Sequence, residues 1–476
     1  MLLKIQLDLF VTRLINNQTS NSAQRHKPSY RNYSMSTIKP QIPKGFRDFL
    51  PPQKALRQQV IQTIKNTFEV FGFEPLGTPS LEYASILEGK YGEEGDKLIY
   101  KFDDRGGRKV ALRYDLTIPL ARVIAMHPTI PKPFKCYHID PVWRADKPQR
   151  GRFREFWQCD ADIVGSDSML AEAEIITTIY HILKALNFNQ FTIRINNRKI
   201  LNGMAQSLGI EEATIPALLR IIDKLEQKGI EGVKTELNAK GFKKESINTL
   251  LELFNTTAGK SIDFIDLKRK FSNSPLLTEG ITELECIFSS LTALGVDAQY
   301  YSFDLSLARG LDYYTGPIFE TTLEEPKIGS ITGGGRYDNL IGLFSNTNIP
   351  ATGSSFGLER IVTVMEELKL APLPSTITEV MVTIFTPELQ EDALRLTAQL
   401  RSHGIKTEIY FKHAKMKKQL TYASNKGVPL VAIIGPDEQK NSTVILRNMV
   451  KGTQEAVAAD ELSSVIKRES CLNYEV

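Results

Sequence analysis

The stretch from Leu307 to Glu320, LARGLDYYTGPIFE, places an arginine, an aspartate, two tyrosines and two glycines in one short run among apolar residues. Gly310 and Gly316 allow the backbone to turn tightly or to approach a ligand closely. Arg309 offers several fixed N–H donors, and the adjacent tyrosines supply rings with hydroxyl groups. The stretch can hold a small, partly aromatic, anionic ligand, but a buried strand with a satisfied Arg–Asp pair explains the same residues.

Length and composition are those of a globular protein of roughly two to four domains. The net charge of +4 permits nucleic-acid binding without arguing for it. The 4 cysteines are scattered and never paired as C-x-x-C, which indicates a reducing compartment and disfavours a zinc site or a disulfide framework. No apolar run is long enough to cross a membrane, so we expect no membrane partner and a cytoplasmic protein.

Residues 1–42 form a predicted disordered or targeting extension. The stretch is rich in lysine, arginine, serine and asparagine and contains a single acid, Asp8. This composition is typical of a mitochondrial transit peptide. A disordered tail, or translation that begins at Met35, explains the same residues, and two products from Met1 and Met35 would reconcile the alternatives. A mitochondrial form that carries residues 1–34 stays open beside the cytoplasmic one.

An amphipathic helix opens the globular part. Apolar residues recur at every fourth position from Leu56 to Phe68, which predicts a helix from Ala55 to Phe71 that ends at Gly72. An extended segment from Phe73 to Pro79 follows it. This pair of elements could contact a second subunit, although one face of any core helix looks the same.

The strand predicted from Lys109 to Thr117 ends in a polar cluster. Because side chains alternate between the two faces of a strand, Arg113, Asp115 and Thr117 are expected on one face.

A long hairpin is predicted next, with strands from Phe134 to Arg144 and from Phe153 to Val164 around a charged loop. Gln158 and Asp162 share a face of its second strand. Buried polar side chains need partners, so this face either covers a ligand or pairs internally.

Residues 197–300 are helix-rich and are predicted to form an inserted helical module. Its mixed charges favour a solvated surface, with RNA contact as the alternative. Glycines return at Gly333–Gly335 and at Gly353, where they allow a nucleotide or substrate to approach closely. A helix is predicted from Leu358 to Leu368. Arg360 in its first turn opposes the helix dipole, so we expect an anionic partner for it, either a structural carboxylate or a phosphate.

Strands and helices alternate beyond the linker-like segment 371–375, which predicts a small α/β domain with a partly parallel sheet. Its second helix lies in a run from Lys412 to Lys426 that contains several lysines and no acid. A basic helix on an appended domain suggests a nucleic-acid surface, and solvated lysines are the alternative.

These motifs resemble the histidyl-tRNA synthetases, a family of class II aminoacyl-tRNA synthetases, from about Pro43 to about Lys467. LARGLDYYTG is similar to the family's histidine-binding signature, and FREFWQCDADIVG is similar to the second strand of motif 2. GGGRYDNL and GSSFGLERI are similar to the approach to motif 3 and to motif 3 itself. The elements from Ala55 to Pro79 correspond to motif 1, which builds the homodimer in this family.

Two rival functions share this resemblance. One is an inactive paralogue that binds histidine and regulates histidine biosynthesis. The other is a tRNA-sensing module without enzymatic activity. Such paralogues typically lack the intact signature and the anticodon domain, and this chain has sequence matches to both.

The resemblance implies an α+β protein with a six-stranded antiparallel catalytic sheet and flanking helices. It assigns residues 43–196 and 301–370 to the catalytic domain, 197–300 to a helical insertion and 374–476 to an α/β anticodon-binding domain. It also implies the reaction. Histidine and ATP, with Mg²⁺, give histidyl-adenylate and pyrophosphate, and the histidyl group then passes to tRNA with release of AMP. The implied partners are histidine, ATP, tRNA and a second copy of the chain.

The same resemblance assigns the site residues. The catalytic cations are Arg144 and Arg309, placed on the α-phosphate or the carboxylate, and Arg360, placed against the adenine or the γ-phosphate. The residues expected to bind histidine are Asp115, Leu116, Thr117, Arg144, Gln158, Asp162, Arg309, Tyr313 and Tyr314. The residues expected to bind ATP are Arg144, Asp146, Arg152 and Arg360. No residue is expected to serve as a resident metal ligand.

Overall fold

The structure is a computed structural model that describes residues 38–257, 264–309, 313–371 and 375–472. The expectations for residues 1–37, and for Gly310 and Asp312 of the opening stretch, lie outside the described residues. Among the helices of the described part of the chain, none is both long and apolar enough to cross a bilayer.

Strands and helices follow one another along the whole described chain. The strands are Glu74–Pro75 (β1), Leu81–Tyr83 (β2), Lys101–Asp103 (β3), Lys109–Leu112 (β4), Phe134–Trp143 (β5), Glu155–Val164 (β6), Thr192–Asn197 (β7), Tyr301–Phe303 (β8), Pro317–Thr322 (β9), Thr332–Arg336 (β10), Ala351–Gly357 (β11), Val380–Val382 (β12), Thr407–Ile409 (β13), Leu430–Ile433 (β14), Thr443–Asn448 (β15) and Gln454–Ala458 (β16). The α-helices are Pro51–Val70, Ala84–Leu87, Gly92–Asp96, Thr117–Met126, Leu170–Ala185, Arg198–Ser207, Ile215–Ile222, Leu225–Ala239, Lys244–Thr257, Phe264–Lys270, Pro275–Ala293, Leu358–Leu368, Gln390–Ser402, Met416–Lys426, Pro436–Asn441 and Leu462–Leu472.

A mixed sheet of 8 strands, in the order β1-β5-β6-β11-β10-β9-β7-β8, is the centre of the fold. The inner strands from β5 to β7 pair antiparallel, whereas β1 is parallel to β5 and β8 is parallel to β7. The α+β class with a large central sheet is confirmed, but the predicted six-stranded, wholly antiparallel sheet is not. Strand β1 lies within the extended segment predicted from Phe73 to Pro79, although its place in this sheet was not predicted. Strand β8 is so short that its sequence shows no alternation from which to predict it.

The first helix, Pro51–Val70, confirms the predicted amphipathic pattern. Leu56, Val60, Ile64 and Phe68 are all buried. The helix begins earlier than predicted because Pro51 fits its first turn, where a backbone N–H is not needed. Gly72 has a φ of +75°, the left-handed conformation that commonly follows a helix end.

A buried carboxylate joins the first helix to the helix Leu358–Leu368. The two Glu359 oxygens accept hydrogen bonds from the Arg57 guanidinium, each at 2.7 Å. Arg47 also donates to Glu359, and the backbone N–H of Trp157 lies 3.3 Å from Glu359 Oε1. Because Arg57 and Glu359 are both almost completely buried, this pair fixes the two helices relative to each other.

The strand predicted from Lys109 to Thr117 is shorter in the structure. Strand β4 ends at Leu112, and Thr117 is the first residue of the helix Thr117–Met126. The Asp115 carboxylate accepts a hydrogen bond from the backbone N–H of Ile118 at 3.1 Å, an interaction typical of a helix start. The alternation of faces therefore does not extend to Thr117, and that prediction was wrong.

Helices dominate the region between β7 and β8, as predicted. The single helix expected from Ile215 to Gln227 is divided into Ile215–Ile222 and a second helix that begins at Leu225. Side chains of Arg198–Ser207 and Pro275–Ala293 belong to the same apolar core as the central sheet. The division of the chain into a catalytic domain and an insertion stays a prediction.

A separate sheet of 5 strands, in the order β13-β12-β14-β15-β16, forms the last part of the chain. Strands β13, β12 and β14 are parallel, and β15 and β16 are antiparallel. The predicted α/β pattern with a partly parallel sheet is therefore confirmed. Its apolar core is made from β12, β14, β15 and the helices that cover them.

Candidate active site

A cavity of about 410 Å³ opens on the face of the central sheet where β6, β11 and β10 lie side by side. This volume lies in the range of small-molecule binding sites. The predicted site residues that line it are Asp115, Thr117, Arg144, Asp146, Arg152, Gln158, Asp162, Arg309, Tyr313, Tyr314 and Arg360. Of the predicted set only Leu116 is not a lining residue, and its side chain is buried at 1% exposure.

Strand β6 supplies polar side chains to the floor of the cavity through simple alternation. Gln158 and Asp162 face the cavity, and Asp160 lies between them on the same face. Cys159 and Ala161 point the other way into the apolar core. The predicted shared face of Gln158 and Asp162 is confirmed, and both side chains are buried.

Asp162 is held by Tyr337, which directly follows strand β10. The Tyr337 hydroxyl donates to Asp162 Oδ1 at 2.5 Å. Burial raises the pKa of Asp162 to about 7, although the Tyr337 hydrogen bond acts in the opposite direction. Gly353 on β11 makes room for this carboxylate, because a Cβ there would lie 1.9 Å from Asp162 Oδ1.

Asp115 lies at the start of the helix Thr117–Met126. It is buried, and the Tyr91 hydroxyl donates to Asp115 Oδ1 at 3.0 Å. Burial raises the pKa of this carboxyl group. Thr117 lines the same part of the cavity, so the carboxylate and the hydroxyl are brought together by a helix start and not by a strand face.

Arg113, which was grouped with Asp115 and Thr117 from the sequence, is not a lining residue of the cavity. Its guanidinium donates to the backbone carbonyls of Thr78 at 2.7 Å and Pro141 at 2.9 Å. The structure therefore gives Arg113 a role in holding the backbone.

The Arg309 side chain lies beside strand β9. Its Nη1 is 3.6 Å from Glu320 Oε2 and 3.4 Å from the carbonyl oxygen of Phe319. It has a φ of +41°, which is strained for a residue with a side chain. A Cβ at Gly333 would lie 1.5 Å from Arg309 Nη1, so the glycine on β10 is what allows the guanidinium to lie there.

Arg144 and Arg360 complete the cationic part of the cavity. Arg144 Nε donates to the carbonyl of Tyr114 at 3.0 Å, and its guanidinium carbon lies 4.3 Å from the centre of the Tyr114 ring. Arg360 donates to the carbonyl of Ser330. Burial lowers the pKa of Arg360, and the neighbouring charge of Arg152 lowers it further.

The sequence predicted an anionic partner for Arg360. No carboxylate of the described residues forms a salt bridge with it within 4 Å. A structural carboxylate is therefore not the partner within that part of the chain, and the phosphate alternative stays a prediction.

Arg152 and Asp146, both predicted to bind ATP, are paired with each other. Arg152 Nη2 and Nε lie 2.8 Å and 3.0 Å from the two Asp146 oxygens. This is a bidentate pair at the mouth of the cavity, with Arg152 44% exposed. Asp146 is thus in a position to orient Arg152.

Three tyrosines form one wall. The ring centres of Tyr313 and Tyr314 are 4.8 Å apart, and those of Tyr313 and Tyr337 are 6.1 Å apart in an edge-to-face arrangement. Burial raises the pKa of all three hydroxyls, so they act as neutral hydrogen-bonding groups.

Asp160, Ser355 and Tyr337 are among the lining residues that were not predicted from the sequence, and Tyr91, which donates to Asp115 from outside the lining, was not predicted either. The alternation that identified Gln158 and Asp162 includes Asp160, so that signal was present. Tyr91 and Tyr337 meet Asp115 and Asp162 only through the folded chain, and no local pattern indicates those contacts.

Carboxyl and guanidinium groups line the same cavity. The carboxyl groups of Asp115, Asp160 and Asp162 are close enough to influence one another, and the arginines influence one another in the same way. Among the described residues, no group of three or more acidic, histidine or cysteine side chains is arranged to hold a metal ion. The cavity can therefore receive a ligand that carries both cationic and anionic groups.

The chain matches the family model of histidyl-tRNA synthetases over residues 45–361, and a model of an anticodon-binding domain over residues 379–469. A protein of Cytophaga hutchinsonii named histidine–tRNA ligase is 43% identical over 447 residues, which are 89% of this chain and 98% of that protein. A protein of the same name from Korarchaeum cryptofilum is 43% identical over 409 residues, with coverage of 85% and 94%.

The chain is also similar to solved structures of this family. The crystal structure of histidyl-tRNA synthetase from Nostoc sp. PCC 7120 is 34% identical and superposes with a TM-score of 0.80 over 91% of this chain and 100% of that chain. A Bacillus halodurans structure described as an ATP phosphoribosyltransferase regulatory subunit/histidyl-tRNA synthetase is 22% identical with a TM-score of 0.68, over 82% of this chain and 97% of that chain, and it shares the fold.

Proposed function

Since this chain belongs to the histidyl-tRNA synthetase family and ligates histidine to tRNA, we propose that its cavity is where histidine reacts with ATP and is then passed to tRNA. One observation carries the assignment to this cavity. The buried carboxyl groups of Asp115, Asp160 and Asp162 line the same space as the guanidinium groups of Arg144, Arg309 and Arg360. Carboxylates suit the ammonium and imidazole groups of histidine, and guanidinium groups suit carboxylate and phosphate oxygens.

Histidine binds at the acidic end. Asp162 and Gln158 orient the imidazole and the ammonium group, and Asp115 with Thr117 holds the ammonium group. Tyr313 and Tyr314 enclose the ring. A site with several buried polar groups rejects purely apolar amino acids, because those groups would be left without partners.

ATP binds at the cationic end. The histidine carboxylate is already a nucleophile, so no base is needed, and catalysis consists of aligning it with the α-phosphorus and stabilising the developing charge. Arg144 and Arg309 serve the α-phosphate or the carboxylate, and Arg360 serves the adenine or the γ-phosphate. Arg152, held by Asp146, contacts the phosphates from the loop at the mouth.

Mg²⁺ enters as part of the ATP substrate. Mg²⁺ would arrive with the ATP phosphates, beside which Arg144, Arg309 and Arg360 would supply further positive charge. The ion neutralises phosphate charge, and the residues of this chain supply the remaining cations.

The last sheet and its helices bind tRNA. The region matches an anticodon-binding model, and its helix Met416–Lys426 lies in the lysine-rich run that begins at Lys412. The exposed lysines provide the positive charge for phosphate contacts.

The enzyme acts as a homodimer in the cytoplasm. The helix Pro51–Val70 is the proposed contact element, by its resemblance to motif 1. Sedimentation at micromolar concentration should give twice the chain mass, and a monomer would contradict the proposal. A longer product with residues 1–34 would be the mitochondrial form, which amino-terminal sequencing of protein from whole cells and from organelles would reveal.

Histidine-dependent exchange between ATP and pyrophosphate tests the activity. The full chain should catalyse exchange with histidine and charge tRNA with it. Arg309→Ala should lower exchange by about 100-fold or more, because the developing charge loses a donor in a buried site. Exchange near the wild-type rate in this variant would refute the role of Arg309. A chain that binds histidine without any exchange would support the regulatory alternative.

A further inference from the structure

The side-chain amide of Gln158 has two different environments at its two ends. Its nitrogen donates to Ser355 Oγ at 2.6 Å and lies 3.5 Å from Asp160 Oδ1. Its oxygen is buried and has no hydrogen-bond partner among the described residues. Gln158 itself is only 7% exposed and lines the cavity.

The positions of Ser355 and Asp160 follow from the register of the sheet. Ser355 on β11 lies directly opposite Asp160 on β6, so their side chains share the cavity face. Asp160 is 2% exposed, and it is separated from Gln158 by a single residue on the same strand. The amide nitrogen therefore faces two oxygen atoms that belong to two strands.

An amide can be held in either of two orientations, and its neighbours decide which one is stable. If the Gln158 amide were turned around, its oxygen would face the carboxyl oxygen of Asp160 and the hydroxyl oxygen of Ser355. An ionised carboxylate can only accept hydrogen bonds. Ionised Asp160 thus favours the amide nitrogen over the amide oxygen at this position.

We propose that Ser355 and Asp160 are positioning residues that hold the Gln158 amide with its nitrogen toward the sheet and present its oxygen to an N–H donor of bound histidine. This proposal rests on the proposed function and deepens it. A buried acceptor without a partner is costly, and an N–H group of the ligand would satisfy it.

Kinetics of histidine-dependent ATP–pyrophosphate exchange test the proposal. Ser355→Ala and Asp160→Ala should each raise the KM for histidine about tenfold, which corresponds to a lost hydrogen bond of ordinary strength to a charged group. The KM for ATP should stay within about twofold of wild type, because the amide does not face the nucleotide. The double variant should show no more than the larger single effect, because both residues act through one amide.

A conservative variant separates positioning from charge recognition. Asp160→Asn keeps an oxygen that can accept from Gln158, so its KM for histidine should stay near the wild-type value. Thr177→Ala is the matched control. It removes a buried hydroxyl that donates to the carbonyl of Ala173 in a core helix, and it should leave both KM values unchanged.

Four outcomes would overturn the proposal. The KM for histidine could be unchanged in Ser355→Ala, the two single effects could multiply in the double variant, or both substrates could lose affinity equally. Loss of affinity in Asp160→Asn equal to that in Asp160→Ala would also overturn it, since charge and not orientation would then be the cause. Absence of exchange in the wild-type chain would instead refute the proposed function.

Discussion

Replacing Tyr337 by phenylalanine tests whether ionised Asp162 binds histidine. The Tyr337 hydroxyl donates to Asp162 Oδ1 at 2.5 Å, and both side chains are buried. This hydrogen bond stabilises the ionised carboxylate and opposes the effect of burial, which raises the Asp162 pKa to about 7. Removing the hydroxyl leaves burial unopposed, so the pKa of Asp162 should rise further.

The size of the shift follows from the strength of the hydrogen bond. A hydrogen bond to a charged group contributes about 1.5–3 kcal/mol. One pKa unit corresponds to about 1.36 kcal/mol, so the pKa should rise by about one to two units. At neutral pH most of the variant would then hold Asp162 in its protonated form.

The assay is the pH dependence of kcat/KM for histidine in ATP–pyrophosphate exchange, which reports groups that titrate in the free enzyme and free substrate. As the pH falls, kcat/KM should fall on protonation of Asp162, and in Tyr337→Phe this fall should begin about one to two pH units higher. Free histidine titrates identically in both measurements, so the difference between the two profiles isolates the enzyme. Profiles that coincide would refute the reasoning.

Three further variants test other parts of the structure. Gly333→Ala should lower exchange about as much as loss of Arg309, because its Cβ would lie 1.5 Å from Arg309 Nη1; wild-type exchange would contradict this packing. Removal of residues 374–476 should spare exchange far more than tRNA charging, and equal loss of both would mean that this region does not chiefly bind tRNA. Asp162→Asn should stabilise the fold at pH 8 by up to about 4 kcal/mol in urea unfolding. The folded pKa of Asp162, about 7, lies above the unfolded value of about 3.9, so the free energy of unfolding of the wild type falls as the pH rises from one value to the other. The stabilisation by Asp162→Asn should therefore vanish near pH 4.

The sequence predicted those parts of the site in which neighbours along the chain remain neighbours in space. Gln158 and Asp162 lie on one regular strand, and strand alternation placed both correctly. The same rule failed at Asp115 and Thr117, where a helix start interrupts the strand and the carboxylate caps the helix. Local alternation cannot show such a change, because Asp and Thr suit either a strand end or a helix start.

Contacts between distant segments could not be predicted in this way. The Tyr337 and Asp162 side chains meet across strands that are far apart in sequence, and the Tyr91 contact with Asp115 is likewise made by the fold. Strand β1 lies within the predicted extended segment Phe73–Pro79, but its pairing with β5 was not predicted, and β8 is too short to be recognised. The glycines at 333 and 353 were recognised as sites of close approach, but the side chains that use the space became known only from the structure.

The buried Glu359 links the first helix to the side of the cavity that Arg360 lines. Arg57 fixes this carboxylate from one side, and the next residue along the chain is Arg360. A displacement of the helix Pro51–Val70 would therefore move Glu359, and with it the helix start that carries Arg360 into the cavity.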